Sequence, residues 1–312
     1  MDEMARGQKR RAKQNSGCFS LLLSLVAVIW IFSLFSGGGG HDSKTASHES
    51  TRSHLQVKSR ASSKSVVSTS ASKSSQSSSQ KAAASAPAAS TPYGGLNQTT
   101  YQYLANLTFQ SGGAAYTVVN QDHSTLIRNA WTVNRVIYSN LDRLNRTSSS
   151  NTAFLEARNL ANDELRVRQT IEPTGWHYNH RNGTQLYNRG HMIAYSVSAG
   201  IDQDGRYNPN NPSGDQNNMK NLFTQTAFSN QRIQTIFEAK VRQALREDKK
   251  IIYQATPIFR GSELMARGIN LQAISTDGSL DFNVYLFNVQ PGYQFDYATG
   301  RAGVDRNFQV SY

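Results

Sequence analysis

The pattern of apolar and polar positions changes character three times along this 312-residue chain. Residues 19–35 form an uncharged run dominated by Leu, Val, Ile, Phe and Trp. At roughly seventeen residues, the run is near the lower limit for a helix that crosses a bilayer. Residues 37–92 then carry almost no large apolar side chain and are rich in Ser, Ala and Lys. From Tyr93 onward aromatic and aliphatic residues return, and about 220 residues suffice for one domain with a real core.

Inside that last region, β-prone runs predict strands at 115–120, 130–136, 186–197, 251–259, 269–275 and 280–289. The last two flank a Thr276-Asp-Gly-Ser279 hairpin turn. Residues 141–145 read as a turn. A helix is expected over 152–165, with Phe154, Ala157, Leu160, Ala161 and Leu165 on one face. Pro173-Thr-Gly marks a further turn, and the Asp-Gly and Asn-Pro steps in 201–215 predict a long irregular loop. The clearest helix is 229–249, with Ile233, Ile236, Phe237, Val241, Ala244 and Leu245 as its buried stripe. Strands and helices in mixed order, without βαβ periodicity, predict an α+β domain on a mixed, mainly antiparallel sheet.

Composition divides the chain further: a basic tail (1–18), a transmembrane signal-anchor (19–36), a low-complexity linker (37–92) and a folded domain (93–312). The basic residues ahead of the apolar run should stay cytoplasmic and send the remainder outside the cell. The linker cannot bury enough apolar surface to offset chain entropy, so a flexible tether is expected. The net charge of +12 invites a nucleic-acid reading, but its distribution weakens that argument. Residues 1–41 hold five basic against two acidic side chains and residues 42–92 seven against two, leaving only about +4 for the domain. Cys18 is the single cysteine, which excludes an intrachain disulfide and a cysteine-ligated zinc site.

Two stretches carry candidate chemistry. Tyr187-Asn-Arg-Gly-His-Met-Ile-Ala-Tyr195 places His191 in a β-prone run. A neutral imidazole can take a proton from water near neutral pH. Asn218-Met-Lys-Asn-Leu-Phe-Thr-Gln-Thr-Ala-Phe-Ser-Asn-Gln231 opens a long helical pattern and contains Asn230, whose carboxamide oxygen can hold a hard, largely hydrated cation. Each residue also has a plain structural reading: His191 as a packed histidine, Asn230 as a helix cap. Arg166 and Arg168 are the arginines expected to relieve charge on a phosphate, or else to be solvated.

The Arg-Gly-His word followed by N-x-x-N-x-x-x-Q-T-A-x-x-N-Q resembles the DNA/RNA non-specific endonucleases of the ββα-metal class. It looks like the streptococcal-type membrane-bound DNA-entry nucleases. The resemblance covers roughly 116–303 and includes Pro173-Thr-Gly-Trp-His177 and Leu141-Asp-Arg-Leu-Asn145. It implies a ββα-metal core, His191 as general base and Mg²⁺ on Asn230, with Mn²⁺ able to substitute. Glu238, about 12 Å further along the helix, would serve a metal-bound water or the leaving group, or simply pair with Arg242. Asn221 and Gln225 match polar positions of the family pattern and would orient His191 or contact phosphate. Asn221 is grouped with the catalytic residues, and Gln225, Gln231 and Arg189 with Arg166 and Arg168 as substrate contacts. DNA, and RNA beside it, would be cut without sequence preference. Asn188 departs from the family's usual Asp and loses its negative charge. An alternative is a catalytically weak DNA-binding surface protein of an uptake system.

Overall fold

The structure, a computed structural model, describes residues 92–177, 180, 181 and 183–312. The basic tail, the anchor and, apart from Pro92, the linker expected from composition lie outside these residues. In chain order, helix α1 (Gln98–Asn106) precedes strands β1 (Tyr116–Val118), β2 (Arg135–Ile137) and β3 (Asn151–Leu155). The two-residue strands β4 (His180–Arg181) and β5 (Thr184–Gln185) lead into β6 (Tyr187–His191) and β7 (Leu222–Thr226). A π-helical turn, Ser229–Gln234, runs directly into helix α2 (Thr235–Arg246). Strands β8 (Ile251–Ile258), β9 (Gly268–Ser275), β10 (Asp281–Phe287), β11 (Tyr293–Asp296) and β12 (Arg301–Val304) complete the order.

Six strands form one antiparallel sheet in the order β1-β10-β9-β8-β3-β2. All residues of β8 and β9 are buried, so the middle of the sheet is covered on both faces. On one face, Ile251, Tyr253, Ala255, Leu271 and Ala273 pack with Phe237, Val241 and Leu245 of α2. On the other, Ile252, Phe154 and Ile274 meet Leu126, and Ile258 and Tyr285 meet Leu96, Tyr101 and Leu104 of the N-terminal arm. This second face also buries amides. Gln254 Oε1 accepts from the Leu96 amide (3.0 Å) and its Nε2 donates to Thr152 Oγ1 (2.9 Å).

Strands β6 and β7 form a separate antiparallel pair, with His191 opposite Leu222 and Asn188 opposite Gln225. With the following helix they make a ββα unit. Two fully buried asparagines moor it to the sheet. Asn288 Oδ1 accepts from the Thr226 amide (2.7 Å), and its Nδ2 donates to the carbonyls of Thr224 (3.0 Å) and Ala266 (2.9 Å). Asn151, on β3, donates to the Lys220 carbonyl (2.8 Å) just before β7 begins.

Several expectations need correction. The helix foreseen over 152–165 is instead β3 followed by two single 3-10 turns. Asn151-Thr-Ala-Phe-Leu155 pairs on both edges, with β2 and β8, and tertiary pairing outweighs the helical spacing. The stretch 218–231 does not open as a helix, because Leu222–Thr226 is the second strand of the ββα unit. Ile236 is 42% exposed, since it falls about 100° from Phe237 and off the buried stripe. Helix α2 stops at Arg246, and Asp248 adopts φ 59° two residues later. The short helix α1 and the β11–β12 hairpin had no periodic signal strong enough to be foreseen.

Asn288→Ala should leave three buried backbone groups without partners. We expect a loss of about 3 kcal/mol or more, seen as a drop in Tm of roughly 6–12 °C. A change below about 2 °C in a thermal melt would show that the mooring is not stabilising.

Candidate functional site

The close packing of β6 against β7 explains the glycine of Arg-Gly-His. A Cβ on Gly190 would lie 2.7 Å from Gln225 Cβ, so only glycine lets the Gln225 side chain cross there. With that crossing made, His191 ends β6 at the rim of a cleft of about 570 Å³. The opposite rim comes from the helix side, with Asn230, Gln231, Thr235 and Glu238. Arg166, Gln169, Trp176, Gln185, Asn188, Arg189 and Gln216 close the remainder. The candidate base and the candidate ligand, 39 positions apart in sequence, therefore face the same space.

His191 is held neutral. Burial pushes its pKa down to about 4, Arg166 adds to that shift, and a hydrogen bond to the Gln216 carbonyl opposes it. The Gln216 carbonyl, 3.1 Å from Nε2, can only accept, so Nε2 carries the proton and Nδ1 keeps its lone pair. The Gln169 amide nitrogen lies against the ring edge, 3.3 Å from Nδ1 and 3.1 Å from Nε2, and with the proton on Nε2 the acceptor left to it is Nδ1. Gln169 and Gln216 were not foreseen, because neither lies in a motif and both arrive from loops.

Asn230 sits in the π-helical turn rather than at a helix cap. Its Oδ1 accepts from Asn188 Nδ2 (2.8 Å) and its Nδ2 donates to Gln225 Oε1 (2.9 Å). Asn188 Oδ1 in turn accepts from Gln185 Nε2 (2.5 Å). Glu238 is almost enclosed. Burial raises its carboxyl pKa, against the lowering effects of a hydrogen bond from Gln234 and the charges of Arg242 and Arg166. Its Oε2 lies 3.7 Å from Arg242 Nη1, so the helical ion pair exists alongside its exposure to the cleft.

The arginines divide. The Arg166 guanidinium lies over the Tyr195 ring, 5.0 Å from its centroid, and lines the cleft. Arg189 also lines it, over Trp176 at 4.5 Å and donating to the Ile171 carbonyl. The Trp-His step at 176–177 thus supplies the platform for Arg189. Arg168 is exposed and is not among the residues lining the cleft. Gln231 is on the rim and exposed.

Of the two roles expected for Asn221 and Gln225, the geometry fits support of the strand that carries His191 and not contact with phosphate. Asn221 is fully buried, accepting from the Ile193 amide (2.9 Å) and donating to the Ile193 carbonyl (2.9 Å). It clamps the chain two residues beyond His191 and does not touch the cleft. Gln225 is likewise fully buried and reaches Asn230, Ser229 and Gln234 rather than any phosphate. Leu141-Asp-Arg-Leu-Asn145 is also structural. Asp142 takes Arg146 Nε at 2.8 Å, and the buried Arg146 holds the Gly261 and Glu263 carbonyls. Among the described residues, no group of three or more His, Cys, Asp or Glu could hold a metal ion.

Known proteins resemble this chain in fold and in sequence. The NucA nuclease of Streptococcus agalactiae, in a crystal structure with magnesium ion bound, superposes with a TM-score of 0.52 at 27% identity. That match covers 67% of this chain and 97% of NucA. The same nuclease with no metal bound gives 0.51 at 27% identity, over 66% and 96% of the two chains. A deoxyribonuclease of Streptococcus dysgalactiae subsp. equisimilis is 36% identical over 53 residues, a stretch spanning 17% of this chain and only 16% of that relative. The family model of the DNA/RNA non-specific endonucleases matches residues 66–291, taking in both strands of the ββα unit, its helix and every residue that lines the cleft. A match of that extent, over a fold shared with NucA, means that the chain belongs to the DNA/RNA non-specific endonuclease family.

Proposed function

We propose that this chain is a membrane-anchored, extracellular, Mg²⁺-dependent endonuclease. It hydrolyses phosphodiester bonds of DNA, and also of RNA, without sequence preference, and Mn²⁺ can replace Mg²⁺. The observation that carries the reading is the convergence of neutral His191, Asn230 and Glu238 on one polar cleft. The anchor rests on the apolar run at 19–35 and the basic residues before it. Among the described residues, no helix is long and apolar enough to cross a membrane.

The donor set fits a hard divalent cation. Asn230 presents a neutral carboxamide oxygen with one of its two lone pairs engaged by Asn188, and a carboxylate stands nearby in a cleft with room for several waters. Mg²⁺ takes few protein ligands and retains water, so one amide oxygen is a suitable anchor. A cation bound there would polarise the phosphate and stabilise the departing oxygen.

The protein's own groups supply the remaining steps. His191 accepts the proton of the attacking water at Nδ1, while its Nε2–H stays on the Gln216 carbonyl and fixes the ring. The Gln169 amide must leave Nδ1 for that water to approach. Arg166 and Arg189, held over aromatic rings, offset the charge that develops on the phosphate. Glu238, its carboxyl raised by burial, exchanges a proton on the leaving-group side. These contacts address phosphate rather than base edges, which is why no sequence preference is expected.

Plasmid nicking by the full-length chain should require Mg²⁺, stop with EDTA and fall about 10²–10⁴-fold in His191→Ala. Undiminished cutting by His191→Ala would sink the mechanism. DNA binding with no cutting in either protein would favour the binding-protein alternative.

The pH dependence has a definite sign. Protonation removes the Nδ1 lone pair, so base function falls as pH drops through the His191 pKa. With that pKa near 4 rather than 6.5, the ring should stay neutral at pH 5.5 in the free enzyme. Histidine-ring NMR, with the resonance assigned by its loss in His191→Gln, should give a midpoint well below 5.5. A midpoint at 6.5 or higher would contradict the assigned environment.

A further inference from the structure

A cation-binding asparagine has an ambiguity that a carboxylate lacks: rotating its amide by half a turn replaces an oxygen with an NH₂ group. That group has no lone pair to give and would repel a cation. Something must therefore decide which end of Asn230 faces the cleft.

Behind Asn230 runs an unbroken series of buried amides. Asn230 Nδ2 donates to Gln225 Oε1 at 2.9 Å. Gln225 Nε2 donates to Gln234 Oε1 at 2.9 Å and to Ser229 Oγ at 3.2 Å. Gln234 Nε2 donates to the His191 backbone carbonyl at 2.9 Å and to Glu238 Oε1 at 2.8 Å. Gln225, Ser229 and Gln234 are all fully buried, so water cannot substitute for a missing partner.

The direction of this series follows from its far end. A backbone carbonyl can only accept, so Gln234 must turn its NH₂ toward His191, whatever the protonation of Glu238. Its oxygen is then left for Gln225, whose own oxygen is left for Asn230. The Asn230 oxygen is consequently the end that looks into the cleft. Reversing any one link would set nitrogen against nitrogen or oxygen against oxygen in a dry interior.

We propose that Gln234 and Gln225 are positioning residues that transmit the polarity of the His191 carbonyl to Asn230 and keep its oxygen outward for the cation. The inference rests on the cation-binding reading of Asn230. It ties the base and the ligand together, because the same residue supplies the imidazole on one side and the polarity of the relay on the other. The spacing serves this arrangement. Asn230, Gln234 and Glu238 recur every fourth residue through the π-helical turn and into α2, which lines them up along one side.

A double-mutant cycle on the full-length chain in detergent separates this role from a merely structural one. Mn²⁺ affinity is read by titration calorimetry or by the loss of the free Mn²⁺ EPR signal, without reference to nuclease activity. Gln234→Leu should weaken Mn²⁺ binding about tenfold or more, the range found for outer partners of metal ligands. Asn230→Asp offers two equivalent oxygens and has no wrong end. In that background, Gln234→Leu should leave affinity within about twofold or raise it, because the freed Gln225 can turn its NH₂ to the carboxylate.

Equal loss in both backgrounds would overturn the relay while leaving the cation site intact, as would no loss in the Asn230 background. Should Gln234→Leu fail to fold, Gln225→Met breaks the neighbouring link and enters the same cycle with the same outcomes. Asn230→Ala provides the separate control. Unchanged Mn²⁺ affinity in that variant would remove the cation reading itself and the relay with it.

Discussion

Strand β7 has a strand partner, β6, on one edge only, yet it is buried along its whole length. Unpaired backbone groups in such a place are costly, so side chains must take over where a neighbouring strand is missing. Asn288 does this for Thr224 and Thr226, and Asn151 for the chain at Lys220. These two amides set where the ββα unit sits on the main sheet. Because β6 hangs from β7, they also set where His191 emerges.

The same economy recurs at the site. Burial of polar groups demands complete pairing, and asparagine and glutamine provide donor and acceptor together without adding charge. Asn221 clamps both backbone groups of Ile193, while Gln225 and Gln234 join Asn230 to the His191 carbonyl. Satisfied amide networks of this kind rigidify, and a rigid surround suits the proposed use of one imidazole lone pair and one amide oxygen. Against this neutral scaffold stand few charges. Arg166 and Arg189 rest on aromatic rings, and Glu238 is raised by its enclosure. The imidazole, pressed by burial and by Arg166, stays uncharged, as the proposed proton acceptor must.

Corrections to the sequence-based expectations share a cause. Residues 152–165 carried helical spacing, but Asn151-Thr-Ala-Phe-Leu155 fills a gap between two strands and takes both as partners. Leu222–Thr226 lies in a polar-rich stretch with little alternation, and only its pairing with β6 makes it a strand. Asn221 and Gln225 were grouped with site residues by motif. Their burial shows that a motif marks what the site requires, including groups that never meet a ligand.

What the amino-acid sequence determined by itself was local or compositional. It defined the apolar run and the Ser/Ala/Lys-rich stretch after it, the β-prone runs that became β8, β9 and β10, the amphipathic stretch that became α2, and the pairing of Arg-Gly-His with a distant asparagine. These are legible because periodicity and residue type act over a few positions. Only the tertiary structure decided that Gln169 and Gln216 reach His191, that Arg189 rather than Arg168 lines the cleft, and which end of the Asn230 amide faces it. Those outcomes depend on hydrogen bonds between residues brought together by folding, and the orientation of an amide follows from its partners rather than from its place in the chain.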